Sequence, residues 1–216
     1  MLKNFFETIE NTAPDLTPKN TISCPESNSI PANPQFLWYR EFSSGQIPKE
    51  KAFAVIWHDK EFLYAASVME DSDVYTTASG NSDRTWEKGD VMELFFQPAG
   101  KEEYFEVHLT PSQATLFLYF PNSEARKGVL EDALTDKKFE YELVPFCASA
   151  NISGWYGRMK IRLKDLNTSA DTLKGSKLAV CRYNYNRGTT APEVSSSADF
   201  TGFKTFHTPQ AWHKIV

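Results

Sequence analysis

The chain has 216 residues, 41% of them hydrophobic, which is enough apolar chain for one domain with a sizeable core. Its formal net charge of −5 argues against nucleic acid or an anionic membrane as partner, and no apolar run approaches the roughly 20 residues of a membrane helix. Aromatic residues make up 14%, a share that suits a β-rich core with rings left over for a ligand surface.

From the N-terminus, residues 3–11 are predicted to form a short helix, because Phe5, Phe6 and Ile9 fall on one side of it. Residues 12–35 carry Pro14, Pro18, Pro25, Pro31 and Pro34, and read as an extended, turn-rich lead-in instead of a core element. We divide the chain accordingly into a lead-in, 1–34, and a single β-domain, 35–216. Within that domain Phe36 to Tyr39 is a short aromatic strand. Phe53–Trp57 and Phe62–Val68 flank His58-Asp59-Lys60-Glu61 as a hairpin. A loop is expected from Met69 through Gly80 and Asn81 to Trp86. Leu116–Phe120 is a strand ended by Pro121-Asn122, and a helical turn is expected near Val129 and Leu130.

Further on, Phe139, Tyr141 and Leu143 alternate with Glu140 and Glu142. Trp155, Met159, Ile161 and Leu163 alternate with Arg158, Lys160 and Arg162, and that basic stripe, continued by Lys164, reads as a solvated outer face. Leu178–Arg187 is a strand, and Ala191–Asp199, with three consecutive serines, is expected to be a loop. About nine or ten strands without a βαβ rhythm predict an all-β antiparallel sandwich. Its core is expected to include Met92, Leu94, Phe96, Phe105, Val107, Ile161 and Leu163.

The most informative stretch is Trp86-Glu87-Lys88-Gly89-Asp90-Val91-Met92-Glu93-Leu94-Phe95-Phe96-Gln97-Pro98, followed by Tyr104-Phe105-Glu106-Val107-His108-Leu109. In the first strand Val91, Glu93 and Phe95 share one face and Met92, Leu94 and Phe96 the other, so the strand is interior to its sheet. Glu93 is then a carboxylate among apolar neighbours. In the second strand Glu106 and His108 face the same way as Tyr104. A rim aromatic, Trp86, beside a flanked carboxylate and a row of polar groups outlines a site for a small polar ligand. Arg182 and Asn184 share a face with Leu178 and Val180. An arginine on an apolar face needs a carboxylate partner if buried. Glu93 and Glu106 are candidates, either as a structural salt bridge or as a pair facing a ligand.

These motifs resemble the signature of family 9 carbohydrate-binding modules: Trp-x-x-Gly-Asp-x-x-Glu-Leu-Phe-Phe-x-Pro, then Tyr-Phe-Glu-Val-His, then Trp155 to Leu166, then Arg182-Tyr183-Asn184-Tyr185-Asn186-Arg187, and finally Phe206-His207-Thr208-Pro209. The resemblance covers roughly residues 35–216. It implies non-catalytic binding of a short saccharide or chain end, with Trp86 as an aromatic platform and Glu93 as a sugar-binding glutamate. Phe206 stands where relatives place a second tryptophan, with Trp212 close by. Glu106 and His108 stand where they place arginine and asparagine. The closing motif brings His207 near the ligand face. Some relatives carry structural calcium, for which Asp71, Asp73, Asp83 and Asp90 are the available acids, although turn formation accounts for them. No cofactor and no metal at the main site are expected.

Two alternatives stay open. Related sandwiches bind haem through methionine and histidine, and Met69, Met92, Met159, His108 and His207 are present. The sandwich is also compatible with an interaction module that has lost sugar binding. Hydrolase, phosphate-loop and redox Cys-x-x-Cys motifs are absent from the sequence, so an enzyme is not expected. Cys24, Cys147 and Cys181 have no metal-ligand spacing and read as reduced thiols. The first residues lack the apolar core of a signal peptide, so a cytoplasmic protein is expected as the sequence stands, or a secreted one where a signal has been removed.

Overall fold

The computed structural model describes residues 2–80, 83–150, 152–189 and 191–216. A helix, α1 (Leu2–Asn11), leads into β1 (Thr21–Ile22), β2 (Leu37–Trp38), β3 (Arg40–Glu41), β4 (Ala52–His58) and β5 (Phe62–Glu70). One helical turn, α2 (Thr85–Lys88), precedes β6 (Val91–Gln97), β7 (Tyr104–Leu109) and β8 (Thr115–Phe120). After α3 (Leu130–Ala133) come β9 (Glu140–Ser149), β10 (Ile152–Arg162), β11 (Lys177–Asn184), β12 (Glu193–Ser196) and β13 (His213–Ile215).

These strands form two sheets. The smaller has the order β2–β4–β5–β10–β9. The larger has the order β1–β13–β11–β6–β7–β8, with β12 alongside the second half of β11 and β3 alongside β12. Every pairing is antiparallel except β1 with β13. The result is the expected antiparallel sandwich. Met92, Leu94, Phe96, Phe105, Val107, Ile161 and Leu163 all lie in the core between the sheets, as their alternation requires.

Both outer faces carry further apolar layers. Outside the smaller sheet, α1 lays Phe5 and Ile9 on Phe53, Val55, Trp57 and Tyr156. The lead-in is extended, but Ile22 enters the inter-sheet core and β1 extends the larger sheet, so part of it is a core element after all. The stretch expected as a serine loop contains β12, and there composition misleads. Ser195 and Ser196 are buried because their backbone pairs with β11 on one side and β3 on the other. The Ser196 hydroxyl accepts the Ala198 amide and the Ser197 hydroxyl accepts the Val180 amide, so the buried oxygens are satisfied. The basic stripe on β10 faces solvent-side acids of β9: Arg158 reaches Glu142 at 3.1 Å and Lys160 reaches Glu140 at 2.9 Å. The Asn81 portion of the loop before Trp86 lies outside the described residues.

Outside the larger sheet, a third apolar cluster built on Phe95, Tyr104, Leu118, Phe120, Phe200, Phe206 and Trp212 surrounds a polar depression. Gly89 makes the entry to this face possible. Its φ is +139°, and a Cβ there would sit 2.3 Å from the Tyr75 carbonyl oxygen and 2.4 Å from the Thr76 Cα. Only glycine fits that turn.

Candidate ligand cleft on the larger sheet

The register of the central strands assembles the site. Glu93 on β6 lies opposite His108 on β7, and Phe95 lies opposite Glu106. On the other side Cys181 of β11 pairs with Glu93 and Tyr183 with Val91. All these side chains project from the outer face, while Leu94, Val107 and Val180 fill the core behind. Above them is a cleft of about 270 Å³, lined by Arg84, Trp86, Glu93, Phe95, Glu106, Leu118, Phe120, Arg126, Tyr183, Phe206 and His207. That volume lies at the small end of ligand sites.

A chain of hydrogen bonds runs across the floor. His108 is fully buried, with Nδ1 2.6 Å from the Thr85 hydroxyl and Nε2 2.7 Å from Glu106 Oε1. Glu93 Oε1 is 3.5 Å from the same Nε2. Glu106 Oε2 is 3.5 Å from His207 Nε2, and His207 Nδ1 is 2.8 Å from the Tyr104 hydroxyl. One oxygen each of Glu93 and Glu106 and one nitrogen of His108 lie within 4.8 Å of one another.

Burial and mutual charge set the protonation of this floor. Burial raises the Glu93 carboxyl, the Glu106 charge adds to that and His108 offsets part, leaving it at about 8. Burial also raises Glu106, but His207 and His108 outweigh it and hold its pKa below the ordinary range. For His108, burial lowers the pKa and the two carboxylates more than compensate, so it stands above 6.5. Burial lowers His207. At neutral pH the floor therefore presents an ionised Glu106 hydrogen-bonded to His108, whose two carboxylate neighbours favour its imidazolium form, beside a Glu93 that carries a proton. Such a floor both donates and accepts hydrogen bonds.

Trp86 sits half-buried in α2 at the rim, its ring edge-on to His108 with centroids 5.6 Å apart. It is held from below: the Tyr185 hydroxyl donates to the Trp86 carbonyl at 2.7 Å, and Asp90 accepts the Tyr185 amide at 2.7 Å. The Gly-Asp of the motif thus positions the tryptophan. Phe206 lines the cleft but is 4% exposed, boxed in by Phe42, Phe95, Tyr183 and Phe200 at centroid distances of 5.1–6.0 Å. It is packed as a wedge in the cleft wall.

Six of the eight residues singled out from sequence come together here: Trp86, Glu93, Glu106, His108, Phe206 and His207. Arg182 and Asn184 do not. They face the space between the sheets, on the opposite side of β11 from Tyr183, so neither Glu93 nor Glu106 is their partner. Arg182 Nη2 instead reaches Asp71 Oδ2 at 3.2 Å and the Asn184 side-chain oxygen at 2.6 Å, and Asn184 donates to Glu50 at 2.6 Å. Arg182 and Asp71 are both fully buried. The pair ties the end of β5 in one sheet to β11 in the other. The other loop acids have local partners too: Asp73 bonds Arg187, and Asp83 pairs with Lys88 at 2.6 Å.

Sequence reasoning missed Tyr183, Arg84 and Arg126 as cleft residues. Tyr183 was readable, since it alternates with Arg182 and therefore shares the face of Glu93; Arg84 sits in an irregular segment and Arg126 in a single 3-10 turn, Ala125–Lys127, both too short for a periodic signal. Met69, Met92 and Met159 lie in the inter-sheet core, whereas His108 and His207 lie on the outer face. These three methionines and these two histidines therefore stand on opposite sides of the larger sheet.

This architecture, two antiparallel sheets packed as a β-sandwich, is shared with solved structures of other proteins. Three solved structures share it. A family 9 carbohydrate-binding module from Caldicellulosiruptor kristjanssonii in complex with cellotriose superposes with a TM-score of 0.63 at 11% identity, over 90% of this chain and 92% of the other. A structure of a family 9 module from the same organism with glucose gives 0.56 at 11% identity, over 89% and 92%. A candidate carbohydrate-binding protein from Bacteroides uniformis gives 0.58 at 13% identity, over 91% and 98%. At these identities the likeness is one of fold. No protein-family model matches the chain, and no curated protein matches it.

Proposed function

We propose that the protein binds carbohydrate without transforming it, holding a short saccharide or chain end in the cleft against Trp86. The observation that carries this reading is the pairing of a rim tryptophan with a buried, mixed donor–acceptor floor in one cleft of about 270 Å³. Sugar C–H faces are apolar and slightly positive and stack on aromatic faces, while ring hydroxyls need both donors and acceptors. Protonated Glu93 and ionised Glu106 supply the two kinds, and Tyr183, Arg84 and Arg126 add polar contacts at the walls. The fold shared with modules solved in complex with glucose and cellotriose supports it. Arg182 and Asn184 act from behind, by holding the sheets in place.

A glycosidase reading is disfavoured by the same floor. Catalytic carboxylates must flank a scissile bond with roughly 5–9.5 Å between them. Glu93 and Glu106 instead converge on one imidazole. With one half-buried stacking ring and a few hydrogen bonds, affinity is expected in the micromolar-to-millimolar range, about −4 to −7 kcal/mol. A glycan array followed by calorimetry on the wild type and Trp86→Ala tests the proposal. Binding should appear on the array and fall by at least an order of magnitude in the variant. Absence of any binding at millimolar sugar, or equal binding by a folded Trp86→Ala protein, would contradict it.

A further inference from the structure

The floor of the cleft has a feature that sugar binding does not call for. Two imidazoles point the same ring atom, Nε2, at one carboxylate, Glu106, and both are locked by hydroxyls at Nδ1: His108 by Thr85 at 2.6 Å and His207 by Tyr104 at 2.8 Å. Orientation of an imidazole through its second nitrogen is how proteins present histidine to a metal ion. The independent observation is Glu93. Its carboxyl is 2% exposed, opens on the cleft, and among the described residues takes no hydrogen bond; the nearest donor, His108 Nε2 at 3.5 Å, is already engaged with Glu106 at 2.7 Å. A buried carboxyl with only this longer ion-pair contact and no hydrogen bond, in an otherwise hydrogen-bonded network, calls for a closer partner.

We propose that Glu93, Glu106, His108 and His207 form a binding site for a divalent transition-metal ion of the zinc class. With bonds of about 2.0–2.2 Å, tetrahedral ligand atoms are about 3.3–3.6 Å apart. Glu93 Oε1 to His108 Nε2 is 3.5 Å, and His207 Nε2 stands 3.5 Å from the second oxygen of Glu106, outside the trio of Glu93, Glu106 and His108 whose ligand atoms lie within 4.8 Å of one another. The third separation, His108 to Glu106, is 2.7 Å because a proton occupies it, and the ion replaces that proton. The trio of Glu93, Glu106 and His108 forms the core of the site, and the His207 ring turns in from the closing segment to supply the fourth ligand. Two imidazole nitrogens with two carboxylates select zinc, cobalt, nickel or copper. Calcium, which takes six to eight oxygens, does not fit this donor set.

The test uses the full chain stripped with a chelator and then titrated with Zn2+ by calorimetry, with Co2+ absorption as a second readout. The site predicts one equivalent bound at micromolar concentration or below, a visible Co2+ band typical of four or five ligands, and a higher Tm with zinc. Glu93→Gln, which preserves side-chain size, should weaken binding at least tenfold and erase the Co2+ band while the stripped protein stays folded by circular dichroism. Failure of the wild type to take up either ion at 100-fold excess overturns the proposal. So does uptake that Glu93→Gln leaves unchanged, which would place the ion elsewhere. The metal readouts involve no sugar, and sugar titration of the stripped protein reports on carbohydrate binding alone, so either reading can fail without the other.

Discussion

Replacing Arg182 by methionine separates a structural arginine from a ligand-binding one. Arg182 and Asp71 are fully buried and 3.2 Å apart, with Asn184 and Glu50 completing the network. Methionine keeps the apolar stem but leaves Asp71 without its cation. Breaking a buried pair from one side costs about 3–5 kcal/mol. For a domain of this size, each kcal/mol lowers Tm by about 2–4 °C, so a fall of roughly 6–20 °C is expected. Thermal unfolding followed by circular dichroism measures it. The double variant Arg182→Met with Asp71→Leu should recover much of the loss, since it removes the stranded charge as well. Because Arg182 lies behind the sheet, sugar affinity of the folded single variant should stay within roughly twofold of wild type, as for distant, independent sites. An Arg182→Met protein that keeps its Tm but loses sugar binding would refute this placement.

The protonation pattern predicts a pH dependence. Glu93 has its folded-state pKa raised from 4.5 to about 8, and His108 stands above 6.5, so each favours folding in its protonated form. Their contributions are complete below the unfolded values and lost as pH rises through the folded ones. Urea unfolding should therefore show the Glu93 contribution falling from about pH 4.5 to 8, on the order of a few kcal/mol at most, with a shallower slope in Glu93→Gln; a slope identical in both proteins would contradict the assignment. Gly89→Ala should destabilise by about 2–6 kcal/mol, the sum of a disfavoured φ and a clash with the Tyr75–Thr76 backbone. A Gly89→Ala protein of normal Tm would show that the turn can relax.

Much of this molecule was legible because period-two alternation fixes faces. It placed Glu93 and Phe95 opposite Met92 and Leu94, and Glu106 and His108 opposite Phe105 and Val107, as the two sheet faces require. It also put Arg182 and Asn184 on the side of Val180. Alternation says nothing about what lies across that face, and the partner, Asp71, comes from the other sheet. Thr21–Ile22, Arg40–Glu41 and His213–Ile215 are too short to carry a pattern, and they exist only because a distant strand offers its edge. Ser195 and Ser196 were hidden by residue type, since serine signals a turn unless both flanking strands are known. The resemblance in motif order pointed to Trp86 and Glu93; the imidazole pair converging on Glu106 was visible only once β7 and the closing segment after Phe206 were seen side by side.

The central claim, that a sugar occupies the cleft over β6, β7 and β11, is tested most directly by a crystal structure of the protein with the saccharide that binds best on an array. The account predicts a sugar ring against the face of Trp86, with hydroxyls within hydrogen-bond distance of Glu93 or Glu106. A sugar bound elsewhere, such as in the groove between α1 and residues 31–36, with the Trp86 cleft empty, would contradict it.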